Sequence, residues 1–248
     1  DTGESGKSDV AWFETAKMGE PWAAKWIGTE DNERHPRFYK DFVLEKEVQK
    51  ARLYICGLGL YEAYIGGEKV GEEFLTPYSN DYDQWLQYQT FDVSAMLRSG
   101  LNRIEVLIGN GWYKGRFGLN ADTKPDKLYG DKFLLIAELH VLYADGAEDI
   151  VGTDADWKAI RSHILNSSFY DGEIVDMTAG ETEEKTVLAE APKGELRARL
   201  SLPVLCKETL VPVRVIHTPK DELVLDLGQN HSGIFALHIR EKAGSKIR

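Results

Sequence analysis

Cysteine is scarce: Cys56 and Cys206 are the only two in 248 residues, too few and too distant for a disulfide framework. Cys56 falls in an apolar strand pattern, where a buried, inert thiol is expected. No apolar run approaches the roughly 20 residues of a membrane-spanning helix. There is no Gly-x-Ser-x-Gly elbow and no Cys-x-x-Cys pair, and His35, His140, His163, His217, His231 and His238 show no metal-ligand spacing. Cationic charge is in deficit. Thirty Lys and Arg against 41 Asp and Glu leave a formal charge of −11, which repels phosphate and argues against nucleic-acid and anionic-membrane partners. Long amphipathic helical patterns are missing too, which sets aside an α/β or helical-barrel fold. The chain starts at Asp1 rather than Met, so its start is expected to have been trimmed, and its compartment is not legible.

What is present is a period of two. Leu53/Ile55, Tyr61/Ala63/Ile65, Ile104/Val106/Ile108, Leu135/Ala137/Leu139/Val141 and Phe235/Leu237/Ile239 alternate with neighbours on an opposite face, the mark of strands with one face on a core. Gly66-Gly67 and Asp145-Gly146 sit between such runs as hairpin turns. Only Ser94–Arg98 reads as helical, with Asp92 or Ser94 as cap and Gly100 as stop. Many short strands with Gly-rich turns predict an all-β chain, a jelly-roll β-sandwich of the galactose-binding kind. The expected division is a polar lead-in over 1–20, the sandwich over 21–185, and a linker with the first strands of a second, truncated sandwich over 186–248. Glu181–Lys185 and Lys193–Arg199 are charged, poorly patterned, and read as linker.

Asp1–Ser8 looks like a phosphate loop, but no strand precedes it and no helical pattern follows, so the context that loop needs is missing. Gly57-Leu58-Gly59 precedes a strand and reads as a tight turn. Asn166-Ser167-Ser168 has the spacing of a glycosylation acceptor. Asp154/Asp156 and Glu173/Asp176 are the closest carboxylate groupings outside charge runs, and a glycosidase needs two carboxylates flanking its bond, although solvated acidic residues explain such pairs in most proteins. Sugars offer apolar C–H faces and hydroxyl rims, which aromatic rings and Asn, Asp or Arg match. Asn80-Asp81-Tyr82 and Asn110-Gly111-Trp112-Tyr113 with Arg116 have that composition in turn-like segments. Asn80, Asp81, Tyr82, Asn110, Trp112, Tyr113 and Arg116 are therefore the candidate carbohydrate-binding residues. Trp112 and Tyr113 as core aromatics at a strand end is the competing reading. No catalytic residue is assigned.

Several ordered motifs carry a family resemblance. They are Trp22-Ala23-Ala24-Lys25-Trp26-Ile27-Gly28 after Trp12-Phe13-Glu14-Thr15, the run Gly57–Gly71 through Gly109-Asn110-Gly111-Trp112-Tyr113, Asp156-Trp157-Lys158 with Tyr170-Asp171-Gly172-Glu173 and Asp176, and Asp226-Leu227-Gly228-Gln229-Asn230 with Gly233. Together they resemble the N-terminal β-sandwich of bacterial α-L-rhamnosidases, glycoside hydrolase family 78. Gly66 stands where an Asn often precedes the turn glycine, and Ile174, Val175 and Met177 vary the segment around Asp176. The resemblance implies a parent enzyme that releases terminal L-rhamnose with inversion, using two carboxylates on a downstream (α/α)6 barrel. This chain would then be a non-catalytic part, structural or rhamnose-binding. It also implies a possible calcium ion without any required cofactor, for which Asn80, Asp81, Glu173 and Asp176 offer oxygen ligands. The Gly57–Val106 pattern alone is shared with accessory jelly rolls of β-galactosidase- and glucuronidase-type enzymes. That leaves an accessory sandwich of another exo-glycosidase, or a self-standing lectin-like module, as alternatives.

Overall fold

The protein is described from a computed structural model covering residues 6–11, 13–116, 127, 129–236, 238, 240 and 242. Asp1–Ser5 of the phosphate-loop-like start, Trp12, Leu237, Ile239 and Gly244–Arg248 lie outside the described residues. The chain divides into two compact units, 1–203 and 204–248.

The regular elements of the first unit are almost all strands. In chain order these are β1 (Ile27–Thr29), β2 (Pro36–Leu44), β3 (Val48–Leu58), β4 (Leu60–Ile65), β5 (Glu68–Lys69), β6 (Trp85–Asp92), β7 (Gly100–Gly109), β8 (Leu134–Tyr143), β9 (Glu148–Gly152), β10 (Lys158–Arg161), β11 (Ile164–Ser168), β12 (Gly172–Val175), β13 (Thr182–Glu184), β14 (Thr186–Leu188) and β15 (Glu195–Ala198). One sheet runs β14-β1-β8-β3-β6-β15, with β9 also on β8. The other runs β13-β10-β2-β7-β4-β5. All pairings are antiparallel except β15 on β6. The expected turns are in place. Gly66 and Gly67 both take positive φ, 59° and 84°, between β4 and β5, and Gly146 (φ 83°) turns β8 into β9, conformations open to glycine at little steric cost.

The alternating residues meet between the sheets. Leu53 and Ile55 of β3 and Leu135, Ala137, Leu139 and Val141 of β8 pack against Phe38, Ala63, Ile104, Val106 and Ile108 of the opposite sheet. This confirms the β-sandwich. β8 is buried on its other face as well, where Leu134 and Ile136 join Trp26, Cys56, Leu58, Tyr82, Leu86, Tyr88 and Tyr113 in a second apolar cluster. On that same face Glu138 is fully buried. It accepts hydrogen bonds from Lys17 Nζ (2.6 Å) and the Ala24 N–H (2.8 Å), and its Oε2 lies 2.9 Å from His140 Nε2. Lys17 also lies over the Trp22 and Tyr54 rings, at 5.1 and 5.3 Å. This network fixes the segment before β1 across the sheet, so that part of the lead-in assigned to 1–20 is structured. Cys56 is buried and Cys206 exposed, and neither is in a disulfide. Burial pushes the Cys56 thiol far up, consistent with an inert sulfur.

The structure differs from the sequence reading in three places. The helical stretch expected over Ser94–Arg98 is a single 3-10 turn, Ser94–Met96, with the Asp92 carboxylate accepting from the Ser94 N–H at 3.0 Å. A four-residue helix, α1 (Gly111–Lys114), forms where none was expected. The charged stretches read as linker contain β13 and β15, and β14 and β15 complete the first unit by pairing with β1 and β6. These are edge strands with largely exposed side chains, so no apolar alternation announces them.

The second unit contains one antiparallel hairpin, β16 (Arg214–His217) with β17 (Leu223–Asp226). Arg214 Nε donates to Asp226 Oδ2 at 2.7 Å across it.

Candidate functional site

At the end of β7 the chain turns into α1, and a short hairpin lies against that turn. The turn is tight because Gly59 crosses it: a Cβ on Gly59 would stand 1.9 Å from the Asn110 carbonyl oxygen, so only glycine fits. Gly111, at φ 53°, begins the helix. The hairpin is β11–β12, a two-stranded sheet hydrogen-bonded to neither large sheet. Gly172, at φ 86°, closes its turn.

Three residues around α1 hold this hairpin. The Asn110 side-chain amide donates to the Ser167 carbonyl at 2.7 Å, and the Asn110 N–H donates to Ser167 Oγ at 3.3 Å. Trp112 Nε1 donates to the Tyr170 hydroxyl oxygen at 3.3 Å, and its ring packs on Phe169 at 4.5 Å between centroids. Arg116 forms a two-pronged bond with Asp171, Nε to Oδ2 at 2.7 Å and a terminal nitrogen to Oδ1 at 2.8 Å, while its guanidinium lies 4.8 Å from the Tyr170 ring centre. Arg116 and the Ser168 hydroxyl lower the Asp171 carboxyl to about 2, so it stays charged at any ordinary pH. The result is an aromatic trio, Trp112, Phe169 and Tyr170, beside a fixed ion pair. An exposed ring next to fixed donors and acceptors can stack on a sugar face and bind its rim.

The sequence-derived candidates do not all reach this surface. Asn110, Trp112 and Arg116 belong to it. Tyr113 and Tyr82 lie beneath it as core, their rings 5.5 Å apart, with the Tyr82 hydroxyl donating to the Tyr78 carbonyl at 2.7 Å. Burial raises both phenols, Tyr113 to about 12 and Tyr82 further. Both belong to the core, and the reason is geometric. On a helix as short as α1 consecutive residues point apart, so Trp112 faces the hairpin while Tyr113 faces the core. Asn80 and Asp81 bond within their own turn. The Asn80 amide donates to the Trp85 carbonyl, and Asp81 Oδ1 accepts from the Asp83 N–H at 3.3 Å.

For calcium, Glu173 is exposed on β12, and Asp176 Oδ1 accepts from both the N–H (2.9 Å) and the hydroxyl (2.6 Å) of Thr178. Among the described residues no three His, Cys, Asp or Glu side chains come together as a metal-holding group. Asp81 and Asp176 each already accept hydrogen bonds within their own turns. Asp154, of the other carboxylate grouping, faces Lys40 at 3.3 Å and caps its own turn.

The hairpin residues Ser167, Phe169, Tyr170 and Asp171 are absent from the candidate binding residues; Tyr170 and Asp171 enter only through a family motif and Ser167 only through the glycosylation-acceptor spacing. Phe169-Tyr170 directly before Asp171-Gly172 was the available signal, two aromatics placed at the tip of a turn. A second concavity, about 470 Å³, is lined by Glu14, Lys17, Glu20, Lys50, Arg52 and Tyr54. Most of its charges already pair, Glu14 with Arg52 at 2.6 Å and Lys17 with Glu138 at 2.6 Å.

The family model of the α-L-rhamnosidase N-terminal domain matches residues 46–224. The chain belongs to this family. An α-L-rhamnosidase from Streptomyces avermitilis is 36% identical over 217 residues, 82% of this chain and 20% of that protein. One from Alteromonas sp. is 30% identical over 266 residues, 97% of this chain and 28% of that protein. The chain also matches the solved structure of the Aspergillus terreus α-L-rhamnosidase, with a TM-score of 0.74 and 30% identity over 84% of this chain and 26% of the other. The Streptomyces avermitilis enzyme complexed with L-rhamnose gives a TM-score of 0.69 and 31% identity over 79% of this chain and 20% of the other. The chain thus spans between 20% and 28% of the length of the curated relatives it matches.

Proposed function

We propose that this chain is the non-catalytic N-terminal sandwich of a larger polypeptide that hydrolyses terminal α-L-rhamnosides. The observation that carries this is the 36% identity to an α-L-rhamnosidase of which the chain covers 20%. The two-sheet core positions α1 and the β11–β12 hairpin as one block, and the catalytic carboxylates belong to another part of the polypeptide. The test is release of the chromophore from an aryl α-L-rhamnoside by the purified 248-residue chain and by the full-length polypeptide. Turnover by the full-length protein with the short chain at the buffer blank is the expected result. Turnover by the short chain would place catalysis within it.

A second reading is that the α1–hairpin block binds carbohydrate. It is supported by the exposed Tyr170 ring beside the Arg116–Asp171 pair. Calorimetric titration of the chain with L-rhamnose, with and without added calcium, tests it. Heat that saturates at millimolar sugar and disappears in Tyr170→Ala supports binding. No heat at tens of millimolar, about the weak end of measurable affinity, removes it.

A further inference from the structure

We propose that the β11–β12 hairpin, through the apolar side chains exposed along β12, is a docking surface for a further domain of the same polypeptide, one presenting an apolar patch rimmed by Lys or Arg. The inference rests on the reading of this chain as one part of a larger α-L-rhamnosidase-type protein.

Ile174 and Val175, on the two faces of β12, and Met177 just beyond it are between 46% and 73% exposed, next to the Phe169 and Tyr170 rings that pack on Trp112 and Arg116. Scattered apolar side chains are normal on a surface, but such a cluster on one small element marks an interface. An isolated two-stranded hairpin is also marginal in water. This one is held from behind by Asn110, Trp112 and Arg116, so the patch is presented in a fixed shape rather than formed on contact.

The charge pattern sets the partner's rim. Residues 164–180 contain Asp171, Glu173 and Asp176 and no Lys or Arg. Asp171 is matched by Arg116, which leaves the Glu173 and Asp176 carboxylates beside the apolar side chains. Opposite charge on the partner steers and registers such a contact. A second copy of this chain would place that acidic rim against itself. A sugar would need converging polar groups, which Ile174, Val175 and Met177 do not offer. The polypeptide itself supplies a candidate surface, because the relatives extend well beyond the 20% to 28% of their length that this chain matches.

Amide hydrogen exchange over 164–177, compared between the 248-residue chain and the full-length polypeptide, tests the proposal. The expected result is exchange at least about tenfold slower in the full-length protein, as burial of a hairpin in an interface requires. Ile174→Ser with Met177→Ser should restore fast exchange in the full-length protein and leave the melting temperature of the 248-residue chain unchanged. Equal exchange in both proteins overturns the proposal. So does protection that arises in the short chain on raising its concentration, which indicates a second copy, or on adding L-rhamnose, which indicates a sugar site. Aryl rhamnoside hydrolysis by the same full-length sample separates the two readings. Activity with an unprotected hairpin removes only the docking surface, whereas a protected hairpin without activity removes only the enzyme assignment.

Discussion

Glu138 is a fully buried carboxylate on the central strand β8, and its partners decide whether it stabilises or destabilises the fold. Burial alone raises its pKa, but Lys17, His140 and the Ala24 N–H together hold the carboxyl below its ordinary 4.5. Removing one member of a buried pair strands the other charge, at a cost of about 3–5 kcal/mol. Lys17→Ala should therefore lower stability by that order in denaturant unfolding. Lys185→Ala, which breaks an exposed pair with Glu30 (2.9 Å), should leave the unfolding midpoint unmoved, because solvent screens such a pair. Equal effects would mean that Lys17 contributes no more than a surface charge. His35 provides a pH signature. It is 1% exposed, its Nδ1 lies 3.2 Å from the Ile108 carbonyl oxygen, and burial and then Lys114 lower its pKa from 6.5 to about 4. The unfolded chain gains a proton near pH 6.5 that the folded chain takes up only near pH 4. The stability His35 contributes is thus present above pH 6.5 and lost between there and pH 4, by up to about 3 kcal/mol. The Tm of His35→Asn should fall less steeply with pH across that window, and parallel slopes would remove His35 as the cause.

The β11–β12 hairpin is held by α1 and the residues flanking it, Asn110 before and Arg116 after, so its attachment is local. Trp112→Ala removes the Phe169 packing and the Tyr170 hydrogen bond together. Because Trp112 is only half-buried, the loss of global stability should fall below the about 3–5 kcal/mol of a fully buried tryptophan. Amides of 164–175 should exchange markedly faster, with β3 and β8 unchanged. A hairpin that keeps its protection in this variant would be held by Asn110 and Arg116 alone. Gly59→Ala should disturb the same block from the other side, since its Cβ would meet the Asn110 carbonyl.

At the scale of the whole molecule, the first unit ends at Pro203 and includes β14 and β15. A chain truncated after Pro203 should keep the first unit's thermal transition. One truncated after Lys185 loses the edge strands on β1 and β6, uncovering Leu86 and the apolar face that Leu196 and Ala198 pack against, and should melt lower. Identical melting of the two truncations would place the boundary at 185, where charge and poor patterning alone had set it.

The sequence by itself determined the class of fold, because period-two alternation and Gly-rich turns act locally and each strand of the core carries its own signal. Leu135, Ala137, Leu139 and Val141 read as one face, and they are one face. The family was equally legible, since ordered motifs keep their spacing whatever the packing. Only the tertiary structure decided which candidate side chains reach solvent. Trp112 and Tyr113 are neighbours of similar chemistry, and the orientation of α1 sends one to the hairpin and the other to the core. Tyr82 went inward for the same reason, through a turn that packs it on Tyr113. Phe169, Tyr170 and Asp171 stand about 55 residues from Arg116 along the chain, so no spacing rule joins them. Their meeting depends on a hairpin folding back over the end of β7, and the edge strands β13 to β15 likewise exist only because an existing sheet offers unpaired backbone groups to complete.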